Sequence, residues 1–279
     1  MAKRINKKGS KVWVNCLAMV TLMVIGLVGS TNIALAQELS KEEEERQGSA
    51  MVQYTLKYCF DKDLKVGDWV KYQKIEEQEK GKEIEEIELK VTKKENGGVW
   101  IVEKSGYGEF HLLVDLKRMK LLKAFGFDEE GKKREVTPLS DKEVAEAVEM
   151  MKKEMEQQGA YSQIVSWKKS EKTEKVDVPA GSFTCVYIKP EYSEQHKKQI
   201  ENYVKMMKKQ GKSDAEIDAE ISKNEPRLYF NKDVPRLLPM QIVLGWIPWI
   251  DVFKEVKGGL VESRGMSPLR LTAYSGQKK

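Results

Sequence analysis

The stretch Ile84–Val102 reads IEEIELKVTKKENGGVWIV, and it decides the fold. Ile84, Ile87, Leu89 and Val91 form a β-rich run that ends in Asn96-Gly97-Gly98. Asn and Gly accept positive φ cheaply, which is what a tight hairpin turn demands. Val99-Trp100-Ile101-Val102 leaves the turn as a second run. The same grammar continues outward. Upstream, Val66-Gly67-Asp68 turns the chain into a strand in which Trp69, Lys71 and Gln73 alternate with Val70, Tyr72 and Lys74. Downstream, Gly106 and Gly108 mark a turn before 110–116 and 121–127, and Glu130-Gly131 closes a further hairpin. Short strands at this spacing predict a meandering antiparallel sheet.

Three capping boxes place the helices. Ser40 with Glu43 opens a helix over 37–60, and the acids Glu42 to Glu45 suit the positive end of its dipole. Ser140 with Glu143 opens a second, where Val144, Val148, Met151 and Met155 make one apolar face before Gly159. Residues 192–210 form a charged helix with a stripe at Ile200, Tyr203, Val204 and Met207, ended by Gly211. Ser213 with Glu216 then starts a short helix to Ser222, so 192–225 reads as a solvated excursion between strands. Strands are expected at 164–167, 171–178, 183–188, 227–230, 240–244, 252–256, 259–263 and 269–274. The organisation is an N-terminal helix (37–63) followed by a sheet domain (64–276). The class is α+β, with a large antiparallel sheet of roughly eight to ten strands and helices packed on one face.

The 279 residues carry a formal charge of +5, and that excess is local. Lys3, Arg4, Lys7, Lys8 and Lys11 precede an apolar run from Val12 to Val28, and Ala34-Leu35-Ala36 follows. This order is that of a secretory signal peptide cleaved after Ala36. The alternative is an uncleaved anchor, since the run approaches the ~18–20 residues that span a bilayer. Without residues 1–36 the chain is neutral, so its basic pI is no argument for nucleic-acid binding. No later segment is apolar enough to span a membrane. The mature chain keeps Cys59 and Cys185, read either as one disulfide of an oxidising compartment or as two separate buried thiols.

Chemistry is hard to find. His111 and His196 lie far apart in the chain, with no Cys or acid at metal-ligand spacing, so neither a metal site nor a cofactor is expected. A catalytic reading would need a polar cleft that gathers His111 or His196 with a carboxylate. The apolar features say more. Residues 234–250 hold three prolines, which exclude a single helix or a central strand. Trp246, Ile247 and Trp249 cluster there in an apolar loop, suited either to covering the core or to touching an apolar partner. Met151 and Met155 are flexible enough to line an adaptable apolar site. These five are the candidate ligand-binding residues, and ordinary helix-on-sheet packing is the competing account.

Val66-Gly67-Asp68-Trp69-Val70-Lys71-Tyr72 opens the sheet, Val176-Asp177-Val178-Pro179-Ala180-Gly181-Ser182-Phe183-Thr184-Cys185 lies midway, and Leu271-Thr272-Ala273-Tyr274-Ser275-Gly276 ends it. Over about residues 64–276 this order resembles the lipoprotein-sorting, LolA-like superfamily of periplasmic proteins. The resemblance implies a curved, incomplete antiparallel barrel with helices as a lid over an apolar cavity. It also implies a periplasmic location, where composition alone leaves extracellular or membrane-anchored placement open. The expectation is an exported, non-catalytic protein that binds a lipid, a lipoprotein or another apolar ligand in the concave face of its sheet. The alternative is a cell-envelope protein–protein interaction module with a solid core and no ligand, using the excursion at 192–225.

Overall fold

Turn residues cut the chain into eleven strands of one antiparallel sheet. The computed structural model describes residues 41–279 apart from 79–80, 107, 128–130, 158–162, 241–242, 244–246, 266–267 and 278–279. The expected export segment 1–36, the Ser40 cap, Glu130 and Trp246 lie outside the described residues. The first meander is β1 (Trp69–Gln78), β2 (Gly81–Glu95), β3 (Gly98–Ser105), β4 (Gly108–Asp115), β5 (Lys120–Phe127) and β6 (Lys133–Val136). The second is β7 (Ile164–Val178), β8 (Gly181–Tyr192), β9 (Arg227–Asn231), β10 (Gly259–Arg264) and β11 (Leu269–Tyr274). The spatial order β6-β5-β4-β3-β2-β1-β11-β10-β9-β8-β7 sets the meanders back to back, joined where β1 pairs with β11. At the β2–β3 turn, Asn96 has φ 48° and Gly97 φ 80°, the left-handed pair that a two-residue hairpin requires.

The sheet is open at β6 and β7, yet its second half is rolled. The Ala180 amide in the β7–β8 turn donates to the Leu271 carbonyl of β11 at 3.2 Å, and Gln277 Nε2 donates to the Ala180 carbonyl at 2.9 Å. In a flat sheet, strands spaced about 4.8 Å apart would hold that turn more than 10 Å away. Curvature therefore brings the hairpin tip back over β11.

Among the described residues four full α-helices accompany the sheet: α1 (Lys41–Cys59), α2 (Asp141–Gln157), α3 (Glu194–Lys209) and α4 (Asp214–Asn224). A 3₁₀ helix spans Ile247–Glu255. Alternation along the strands puts Val70, Tyr72, Ile87, Leu89, Ile101 and Leu112 on one face, all buried. The end of α1 and the segment after β9 cover that face. Phe60 bridges to Leu237, the Leu238 amide donates to the Cys59 carbonyl at 3.0 Å, and Tyr72 Oη donates to the Leu260 carbonyl at 3.2 Å. α2 packs on α1, with Ser140 and Glu143 closing the expected capping box at its start.

Buried Arg236 ties the covering layer together. Its guanidinium donates to the carbonyls of Tyr58, Phe253 and Val256, at the ends of α1 and the 3₁₀ helix. A cation suits those C-terminal carbonyls.

Two expected strands are corrected. Met240 and Val243, in the segment expected as strand 240–244, are helical, and of the expected strand 252–256 residues 252–255 fall in the 3₁₀ helix. Pro235, Pro239 and Pro248 lack the N–H that a ladder needs, and Pro248 suits the first turn of a helix. Ile250, Phe253 and Val256 recur every third residue, the 3₁₀ period, and all three are buried. The expected strands 164–167 and 171–178 are one strand, β7, whose register with β8 shifts between Lys169 and Thr173.

Candidate functional site

The face under α1 is filled by the chain itself. Tyr58, Phe60, Leu237, Leu238, Phe253 and Leu260 are each 0–1% exposed there. Met151 is half-buried on α2, a helix that packs on α1. Met155 lies on the same helix, and Ile247 and Trp249 begin the 3₁₀ helix, but the side chains of these three lie outside the described residues. The structure thus divides Met151, Met155, Ile247 and Trp249 between α2 and the 3₁₀ helix, and Trp246 lies outside the described residues.

Cys59 and Cys185 are free, buried thiols, so the disulfide reading is not what the structure holds. They face different surroundings. Cys59 ends α1 beside Thr55, Glu103 and Arg236, whereas Cys185 stands on β8 near Glu262. Burial pushes the Cys185 thiol up to about 12, and it drives Cys59 upward as well, so both are packing groups rather than nucleophiles.

Polar groups enter this face at one end. Lys74, only 5% exposed, lies 3.9 Å from Glu85. Glu103 accepts from the Met240 amide at 3.3 Å. Burial pushes its carboxyl up to about 7, against the pull of that amide and with a further push from Glu85.

The opposite face carries what the sequence did not single out. Lys90, Val102, His111 and Phe125 pair in one line across β2, β3, β4 and β5. Their parity sets them on the uncovered side. They floor a groove of about 590 Å³ together with Trp100 and the rim residues Lys93, Lys104, Glu88 and Glu109. A second depression of about 180 Å³ adjoins it, sharing Glu88 and Lys104.

The groove is built from stacked rings. His111 lies on Phe125 with centroids 4.5 Å apart and planes 11° from parallel. Trp100 meets Phe125 edge-on at 5.4 Å, and Phe127 meets His111 at 5.7 Å. Lys133 Nζ sits 4.5 Å from the Phe125 centroid, and Trp100 Nε1 donates to Glu95 at 2.9 Å. His111 Nε2 and Glu109 Oε1 are 2.7 Å apart, and Lys104 reaches the other Glu109 oxygen at 2.7 Å. Lys104 foremost, and His111 after it, hold the Glu109 carboxyl below the usual carboxylate range despite its partial burial.

A histidine–carboxylate pair in a cleft is the arrangement a catalytic reading requires. Here the imidazole is clamped among three aromatic rings. Among the described residues no serine, threonine or cysteine side chain hydrogen-bonds to it, and no three His, Cys, Asp or Glu are placed to hold a metal ion. His196 is elsewhere, against Tyr192 at 4.6 Å. The groove can hold a partner that brings charges of both signs, but the rings leave little aromatic face open for stacking. One signal could have found it: Val99-Trp100-Ile101-Val102 is apolar at both parities, and a strand apolar on both sides has a second face to cover.

Comparison with protein-family models, with curated proteins and with solved structures finds no match. The LolA-like resemblance rests on its own motifs.

Proposed function

We propose that this chain is an exported, non-catalytic binding protein of the cell envelope, with a solid core, that recognises a protein partner on its outer surface. One observation carries this reading. The layer between sheet and helices is occupied by Tyr58, Phe60, Leu237, Leu238 and Phe253, essentially without exposure, while the open volume lies on the other face. A groove of a few hundred Å³ with an apolar floor and charged rim can seat an anchoring side chain of a protein partner. Export rests on the order of residues 1–36.

A second reading follows from the architecture. An open antiparallel sheet with helices on one face is what the LolA-like resemblance implies, and an apolar ligand would then enter by displacing α1 and the 3₁₀ helix from that face. Native mass spectrometry of protein purified from the exported fraction without detergent separates the two. The solid-core reading expects the bare polypeptide mass, beginning at Gln37. A stoichiometric added lipid mass would overturn it in favour of the carrier. A photo-crosslinking residue at Thr92 in the groove should also trap one discrete partner that the same residue at exposed Lys232 does not.

A further inference from the structure

We propose that α3 docks this protein onto an anionic lipid surface. The sheet does not need the excursion that carries it, because β8 and β9, on either side, pair directly through Val186–Phe230 and Ile188–Leu228. The excursion is a self-contained pair of helices. Ser193 caps α3 by accepting from the His196 amide, Ser213 and Glu216 form the capping box of α4, and Gly211 turns between them at φ +85°. Met207 and Ile217 are its buried apolar residues among those described. Tyr203 and Lys212 both bind Glu220, and Lys208 pairs with Asp214 at 2.8 Å.

Charge is divided between the two helices. α3 carries five lysines against Glu194 and Glu201, and α4 carries Asp214, Glu216, Asp218 and Glu220 against Lys223. The acids of α4 engage Lys208 and Lys212, on the side where the helices meet. Lys198, Lys205 and Lys209 fall at i, i+7 and i+11, one stripe along the other side of α3, all exposed. Beside it Met206 is 46% exposed, whereas Tyr203 turns towards α4 to bind Glu220. The rest of the chain beyond residue 36 is close to neutral, so this stripe is a local feature and not part of a general basic surface.

A straight row of lysines about 16 Å long, bordered by exposed Met206, matches a flat, extended, negatively charged surface. Attraction of a few lysines falls off within a Debye length, so the docking is weak and sensitive to salt.

The test is vesicle flotation with protein from the exported fraction. One set of vesicles is equimolar phosphatidylglycerol and phosphatidylcholine, the other phosphatidylcholine alone. Capture by the anionic vesicles only is expected, falling about tenfold or more between 0.05 and 0.5 M salt. The variant K198E/K205E/K209E should lose capture by a similar factor while keeping the parent's circular dichroism, and Met206→Ser should weaken it a few-fold. Equal capture by both vesicles, no capture by either, or unchanged capture of the charge-reversed variant overturns the proposal. So does full displacement by soluble polyglutamate at equal charge, which would point to an acidic protein instead.

Discussion

At the scale of single residues, Glu103 is an acid held inside an apolar core. It sits on the face that α1 covers, bonded to the Met240 amide, and burial there raises its carboxyl to about 7 from 4.5. The folded protein therefore keeps a proton that the unfolded chain releases across this window. An acid whose folded pKa is raised stabilises below the unfolded value and loses that contribution as pH rises through the folded one. Stability should decline between about pH 4.5 and 7, by about 3 kcal/mol if this group acts alone. Glu103→Gln should match the parent near pH 4 and exceed it at pH 8, as read from urea midpoints at the two pH values. An equal offset at both would show that Glu103 is not the source. Arg236 is the counter-example, a buried charge that stays charged because three carbonyls face it.

At the scale of elements, the excursion and the core segments separate cleanly. Replacing residues 194–224 by a short Gly-rich linker keeps the Glu225–Arg227 pair and removes the burial of Met207 and Ile217 together with the His196 ring contact on Tyr192. Closing a shorter loop costs little, so the change in unfolding free energy should stay within about 1 kcal/mol, measured by denaturant titration. A chain that no longer folds would show that α3 and α4 support the sheet. This independence could be read from the sequence, because Ser193, Gly211 and Ser213 with Glu216 are local signals that bound local elements. The strands were legible for the same reason, through period-two alternation between turn glycines. The segment after β9 was not. Ile250, Phe253 and Val256 bury a 3₁₀ face, yet in a run so short a period of three reads as readily as a strand. The groove was illegible for another reason. Lys90, Val102, His111 and Phe125 meet only because four strands share one register, and register is set by tertiary packing as well as by each strand.

At the scale of the molecule, the decisive contact joins the two ends of the chain. β1 pairs with β2 along its whole length and with β11 from Val70–Tyr274 to Lys74–Leu269. The two meanders thus become one sheet only through residues about two hundred positions apart, and long loops must close before that pairing is rewarded. Once formed, the seam lies under Tyr72, Leu237 and Leu260, at the centre of the core. The edges differ. β6 has four residues, and β7 presents Lys168, Lys169, Glu171, Lys172, Glu174 and Lys175, charges that discourage pairing with another chain. Hydrogen exchange followed by mass spectrometry should find peptides of β1, β2 and β11 slowest and of one free energy, because they open only with global unfolding. β6 and the first half of β7 should exchange earlier, through local opening. Should the β1–β11 seam open before β3 and β4, the two meanders would be separate folding units rather than halves of a single core.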